Sequence, residues 1–520
     1  MVNALRERPA LVAVLGAAIV VLGVILAAGA GGRRGDSAAQ PTLGGSATAP
    51  SPSSAFASAL PSPSASTAPS PDATPTPSPI PTPSLSPIPT PSPSPRPPPT
   101  PRPTPAPPVA GRTSINLSAT YDVDLRIDYG ARRLDVDATL SVTNTSGGEL
   151  DRLELNTIAA RLGKLRLDVA TVDGVDVPVR IDDQTLHVPL PGGLAPGASA
   201  DVRIAFRSTL RSGTSGSDWL FTRANGIVDA YRWLPWISRA VPFDRPNHGD
   251  PFVTPVSPRV DVRITTDRAM TLATSGDPVG GPGGPGGLTQ AFSAENVRDF
   301  TVTASPTYRH LAGTSTDGDT TINVYTLAGE PSSTILASAR RALESFESYV
   351  GPYPYPSLDI AQSAGGFGME GPSIVWIPGN VASGNLDYLV HHEIAHQWFY
   401  ALVGNDQATQ PFADEAAADF LTRRILGLRR ASRCGTARLD RGITSYTSSC
   451  YYETIYIQGG NFLDDVRKKV GSAAFYTGLN AYIEAHRFGF GSSKALLDAI
   501  DAATPDNLQP TYEPRFPSLY

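Results

Sequence analysis

The stretch His392-Glu393-Ile394-Ala395-His396, with Glu415 nineteen residues beyond the second histidine, constrains this chain more than any other segment. Positions i and i+4 of a helix share one face, so two imidazoles one turn apart can address a single metal ion. A carboxylate delivered from a second element completes a zinc donor set that leaves a fourth position open for water. Glu393 stands beside the first ligand, where it can take a proton from that water. Leu389, Val390, Ile394, Ala395, Trp398 and Phe399 fill the rest of the segment, which predicts a helix buried in a core. A second helix is expected over Ala413–Leu426, free of Pro and Gly, with Glu415 in its first turn facing back to one Zn2+.

Composition sets the surroundings of this site. Residues 1–10 carry Arg6 and Arg8, Leu11 to about Ala30 is almost wholly apolar, and Arg33 and Arg34 follow. The apolar run is long enough to span a bilayer as a helix. It reads as an uncleaved, single-pass signal anchor with a cytoplasmic N-terminus. The competing reading is a signal peptide cut after Ala28-Gly29-Ala30, giving a secreted protein. Both put the remainder outside the cytoplasm. Residues 31–111 form a disordered Pro/Ser/Thr-rich stalk holding about half of the 51 prolines. Such a segment buries too little apolar surface to fold and favours extended polyproline II, with a reach of roughly 200 Å. The net charge of −6 is spread without long runs, and no basic patch is interleaved with aromatics, so nucleic acid is excluded as a partner. Cys434 and Cys450 are the only cysteines, and in an exported chain they are expected to pair.

The folded part reads as α+β and multidomain. From Tyr121 onward apolar residues alternate with polar ones: Val123, Leu125, Ile127 and Tyr129, then Leu134, Val136, Ala138, Leu140 and Val142. Period two marks half-buried strands. Further strands are expected at Leu165–Val169, Val177–Ile181, Leu186–Leu190, Ala200–Phe206, Arg259–Thr265 and Phe300–Thr303. Residues 112–312 are therefore read as a β-sandwich or saddle-like domain. Gly280–Gly287 lacks the Lys and Ser or Thr of a phosphate loop and reads as a hairpin loop. Tyr231, Trp233, Trp236 and Phe243 either pack between domains, the favoured reading, or line a substrate cleft. Residues 313–520 then turn helical, with Ile335, Ala339, Leu343, Phe346 and Val350 at three- and four-residue steps. Strands are expected at Leu358–Ala361 and Ser373–Ile377, the second an edge strand reached through the Gly-rich run Gly365–Gly371 and open to a peptide backbone. Helices are expected at Asn461–Lys469, Ala474–His486 and Ser493–Ala502.

Several of these segments together carry a family resemblance. Gly368-Met369-Glu370 resembles the G-x-M-E-N motif of the M1 aminopeptidases, a group of gluzincin metallopeptidases. His392 to Phe399 resembles their zinc helix, Asp414-Glu415-Ala416 their N-E-G/A segment, and Tyr456-Ile457-Gln458-Gly459-Gly460 their Y-x-K-G-A segment. Trp233-Leu234-Pro235 and Arg298-Asp299-Phe300 are similar to the family's N-terminal domain, so the likeness covers about 115–515. It implies a mostly helical thermolysin-like catalytic domain with a small sheet, and a zinc peptidase acting on peptide N-termini. His392, His396 and Glu415 are implied as zinc ligands, Glu393 as general base and Tyr456 as donor to the oxyanion. Gly368, Met369 and Glu370 are implied at the substrate, with Glu370 holding its free α-amine.

Gly371 replaces the motif Asn, and the stretch from Glu415 to Tyr456 is short, so Tyr451 and Tyr452 compete for the tyrosine role. The chain ends soon after its last helical region, where many members continue into a large helical domain, so a more open cleft is expected. An endopeptidase with a relaxed amine requirement is the enzymatic alternative. A catalytically idle surface binding module is the alternative of another class, and the intact donor set with Glu393 speaks against it.

Overall fold

The computed structural model describes residues 117–238, 253–280 and 288–520, all in one compact unit. The apolar run at 11–30, the Pro-rich segment, Phe243 and residues 281–287 lie outside these. Among the described residues no helix is long and apolar enough to cross a membrane.

The alternating runs become strands, as period two requires. Tyr121, Val123, Leu125 and Ile127 point inward from strand Ser118–Asp128, while the residues between them face out. That strand pairs antiparallel with Arg133–Thr143 and parallel with Ser257–Thr266. They form the centre of an eight-stranded sheet, accompanied by two four-stranded sheets. All three have open edges. Arg203 on Asp137 and Arg207 on Asp168 are bidentate pairs on the solvated face. Being exposed, they are screened by solvent and add little to stability.

Two expected strands need correction. Val177–Ile181 is not one strand: Val175–Asp176 joins the eight-stranded sheet and Arg180–Asp182 a four-stranded one. Pro178 interrupts the run because it has no N–H to give a ladder. The strand expected at Phe300–Thr303 begins later, at Val302–Ser305. The aromatic group does pack. Trp236 stacks on Tyr121 at 4.3 Å, and Tyr231 meets Trp376 edge-on at 5.9 Å.

A five-stranded sheet follows, in the order Arg309–Thr314, Thr321–Thr326, Ser357–Ser363, Ile374–Pro378, Met369–Gly371. The first and last strands are antiparallel to their neighbours, and the inner pairs are parallel. The segment expected as an edge, Ser373–Ile377, lies inside the sheet as Ile374–Pro378, with every residue buried. Its apolar side chains fill both faces, which suits a strand flanked on both sides. The Gly-rich run itself supplies the edge, at Met369–Gly371.

Helix Ser332–Val350 packs on this sheet through Ile335, Ala339, Leu343, Phe346 and Val350. It stops at Gly351, whose φ of 87° is open to glycine. Helices Gly459–Val470, Ser472–His486 and Ser493–Ala502 lie where the periodicity puts them, the first two longer than expected and the third with the expected bounds. The β-rich part and the helical part are stitched by Arg298. Its buried guanidinium donates to the carbonyls of Thr254, Ala401 and Gly489.

Candidate metal centre and substrate cleft

Helix Ser383–Ala395 carries His392 and ends at His396. The chain then makes a wide π-type turn over Gln397–Leu402, with Phe399 and Tyr400 outside helical geometry. The second histidine therefore sits at a helix terminus rather than within a helix running on to Phe399. A 3₁₀ turn at Pro411–Ala413 leads into helix Glu415–Leu426, two residues later than the expected Ala413 start, because Asp414 breaks from helical geometry first. Glu415 opens that helix and faces the histidines.

The three donor atoms form a nearly equilateral triangle. His392 Nε2 to His396 Nε2, His392 Nε2 to Glu415 Oε2 and His396 Nε2 to Glu415 Oε2 are each 3.4 Å. Corners of a tetrahedron with that edge lie about 2.1 Å from its centre, the usual zinc–nitrogen distance. One orphaned atom agrees: Glu415 Oε2 is buried without a hydrogen-bond partner. A buried carboxylate oxygen left this way is costly unless a cation satisfies it. The residues present therefore fit Zn2+.

The tautomer of His396 is fixed from behind. Asp414 Oδ1 lies 2.7 Å from His396 Nδ1, which places the proton there and turns the Nε2 lone pair to the triangle's centre. Tyr388 stacks on His392 at 5.8 Å and 11°. Its hydroxyl donates to Asp419 at 2.5 Å.

Glu393 is buried beside Gly368. A methyl group on Gly368 would lie 2.0 Å from Glu393 Oε1, so any side chain here would have to displace this carboxylate. Burial lifts the Glu393 carboxyl well above the ordinary range. The negative charges of Glu370, Glu415 and Asp414 add to this. Such a group accepts a proton more readily near neutral pH than a solvated carboxylate.

The three candidate tyrosines separate. The Tyr452 hydroxyl accepts from Arg423 at 2.9 Å and meets Tyr388 at 3.1 Å, which commits it to the Arg423–Asp419 cluster. Tyr451 stands edge-on to Tyr456 and tilted against Tyr446. The Tyr456 ring lies 5.4 Å from that of His392, and its hydroxyl bonds to Glu415. Burial raises this hydroxyl well above the ordinary phenol value, and Glu415 adds to the shift, so it keeps its proton. Cys434 and Cys450 are disulfide-bonded, bracing the segment before these tyrosines.

Glu370 lies half-buried on the edge strand, with a carboxylate oxygen within 4.8 Å of donor atoms of His396 and Asp414. Gln397 holds that strand to the motif helix. Its amide nitrogen donates to the Gly371 carbonyl at 2.8 Å, and its oxygen accepts from Ser373 N at 2.9 Å. Trp219 covers the run's start, where a Cβ on Gly365 would lie 2.7 Å from the indole. Gly371 also has a local reason. A Cβ there would meet Ile374 Cγ2 at 3.0 Å and Thr301 Oγ1 at 3.2 Å, so an Asn in this position is crowded. Met369 pairs with Trp376 across the ladder. Two residues without a role in the sequence reading join the site: Asp414 behind His396, and Gln407, which touches both Glu370 and Asp414. A carboxylate adjacent to a ligand was a signal for Asp414. Gln407 had none.

No family model matches the chain. It is 28% identical over 451 residues, 75% of its length, to an aminopeptidase N of Lactobacillus delbrueckii subsp. lactis, of which the match covers 49%. A leucine aminopeptidase 2 of Sclerotinia sclerotiorum is 23% identical over 325 residues, 58% of this chain and 51% of that protein. The chain spans about half the length of these curated relatives. Among solved structures, a variant M1 zinc metallopeptidase from Deinococcus radiodurans matches with a TM-score of 0.59 at 21% identity, over 76% of this chain and 94% of that one. The same protein bound to a Tyr-Ser-Ala substrate gives 0.57 at 20% identity, over 76% and 93%. These structural likenesses show the fold.

Proposed function

We propose that this chain, an M1-type metallopeptidase by sequence kinship and fold, is a zinc aminopeptidase that removes residues from peptide N-termini. The single observation that carries the reading is the 3.4 Å triangle of His392, His396 and Glu415 with Glu393 and Glu370 on the same cleft. The names of the relatives, aminopeptidase N and leucine aminopeptidase 2, favour peptide substrates with a free amine.

His392, His396 and Glu415 are the residues that would hold zinc, which supplies Lewis acidity: it polarises a carbonyl and makes water a stronger nucleophile. Glu393 takes the proton of the attacking water and passes it to the leaving amine. Tyr456 keeps its proton and donates a hydrogen bond to the oxygen on which negative charge develops. Glu370 pairs with the α-ammonium of the substrate and so sets the cut one residue from the end. Met369–Gly371, at the sheet edge, offers main-chain groups to an extended peptide. His396 is kept in its metal-binding tautomer by Asp414.

We extend the proposal to location. The apolar run at 11–30 anchors the chain in a membrane and the Pro-rich segment carries the peptidase away from it, outside the cytoplasm. The disulfide favours an oxidising compartment. Protease treatment of intact cells removes the zinc domain under this reading and spares it if the domain is internal.

The activity test uses free and N-acetylated peptides with products identified by mass, and Glu393→Gln as control. Stepwise loss from free N-termini only is expected, and Glu370→Gln raises KM for those peptides at least ~10-fold. Internal cuts in both peptide forms make the protein an endopeptidase instead. Absence of Glu393-dependent cleavage removes the enzyme reading.

A further inference from the structure

Gln407 lies in the connection between the π-type turn and helix Glu415–Leu426, and its side chain is 7% exposed. Its amide nitrogen donates to Glu370 Oε1 at 3.1 Å and also to Asp414 Oδ2. Ionised carboxylates only accept, so the orientation of the amide is set by its neighbours: the NH₂ group must face them. The other oxygen of Asp414 meets His396 Nδ1 at 2.7 Å. A continuous path thus runs Glu370–Gln407–Asp414–His396, from the amine side of the cleft to the metal side.

We propose that Gln407 is a positioning residue for the aminopeptidase reaction, holding Glu370 in the geometry that receives the substrate's α-ammonium. This inference rests on the reading of Glu370 given above. Three physical points support it.

Glu370 sits on a three-residue strand at a sheet edge, and a glutamate has many rotamers to lose. One hydrogen bond from a buried amide that Asp414 holds from the other side selects among them. Donor atoms of Glu370, His396 and Asp414 also lie within 4.8 Å of one another. Two carboxylates that close repel and would splay apart, and an NH₂ group has one hydrogen for each. Finally, the linker is neutral. A Lys or Arg in its place would hold Glu370 equally well, but it would neutralise the charge that the ammonium needs and repel the ammonium itself. An amide orients the carboxylate and leaves its charge available.

The test uses the zinc-loaded protein and an aminoacyl p-nitroanilide as probe, with Gln407→Ala, Gln407→Lys, Glu370→Gln and the double variant Glu370→Gln/Gln407→Ala. Gln407→Ala is expected to raise KM ~10-fold with kcat changed less than ~3-fold and zinc content unchanged. Gln407→Lys is expected to raise KM at least as much. In the Glu370→Gln background the further loss from Gln407→Ala should vanish, because the residue acts through Glu370.

A full additional ~10-fold loss in that background overturns the proposal, as does a fall in zinc content with KM unchanged, which would put the role of Gln407 on Asp414 and His396. If Glu370→Gln itself leaves KM unaltered while N-terminal release persists, the amine-site reading has failed and this inference falls with it. Absence of any Glu393-dependent release marks the separate failure of the enzyme reading.

Discussion

The proposed metal side of the site is delivered by two helices that are neighbours in sequence, whereas the proposed amine side is a three-residue strand supported from four distant places. His392, His396 and Glu415 need only the helical repeat and one connection to meet. Glu370 needs Trp219 over Gly365, Thr301 beside Gly371, Gln397 clamping Gly371 and Ser373, and Gln407 on its own carboxylate. Helical hydrogen bonds make the first arrangement stiff by themselves. An edge strand leaves half its main-chain groups unpaired, so its position depends on what packs around it. Metal binding should therefore tolerate changes on the amine side, while substrate positioning should be sensitive to many residues far apart in sequence.

Substitutions on the metal side give the largest expected effects and divide the ligands from the base. Glu415→Gln should abolish activity and reduce zinc, measured by inductively coupled plasma mass spectrometry, from about one per chain towards zero. Glu393→Gln should lower kcat by roughly 10³–10⁴ while keeping the metal. Loss of zinc in Glu393→Gln would contradict the division. Next in size is Tyr456→Phe, expected to lower kcat ~10²–10³-fold with little change in KM. Tyr452→Phe should alter kcat less than ~3-fold and instead cost about 1 kcal/mol of stability, since Arg423 loses an acceptor. The reverse ranking would hand the oxyanion role to Tyr452.

Gly368→Ala probes where the two sides touch. The methyl group meets the far end of the flexible Glu393 side chain, which yields more easily than backbone. The fold should survive with a Tm within a few degrees, while kcat/KM falls roughly 10–100-fold as the base is displaced by about an ångström. Wild-type kcat/KM would show that Glu393 does not work from its present position.

The last effect is on stability alone and concerns the braced segment ahead of Tyr456. Glu453 is 5% exposed and bonded to Arg430 and Arg433. Burial raises its carboxyl, but the two arginines and the Arg433 N–H outweigh this and bring it down to about 2. A depressed folded value adds stability that is present above the unfolded value of about 4.3 and is lost as pH falls through about 2. Allowing for solvent at Arg433, Glu453→Gln should cost about 2 kcal/mol near pH 7 and almost nothing near pH 2, read from denaturant melts. Equal cost at both values would mean the carboxylate acts by shape and not by charge.

Local order was legible from the residues alone. The two histidines at i and i+4, the alternating strands of 118–143 and the helix Ser332–Val350 follow from periodicities of 3.6 and 2, which are set by hydrogen bonds between near neighbours. The proposed third ligand was legible because its helix is close in sequence, and the disulfide because two cysteines allow only one pairing. Tertiary structure decided what rests on contacts between distant segments. It committed Tyr452 to Arg423 and left Tyr456 beside His392 and Glu415. It placed Ile374–Pro378 inside the sheet and the glycine run at its edge, and it split the strand at Pro178 between two sheets. It also brought Gln407 between Glu370 and Asp414. No local pattern encodes these outcomes, because each depends on which surface the folded chain presents to a side chain tens or hundreds of residues away.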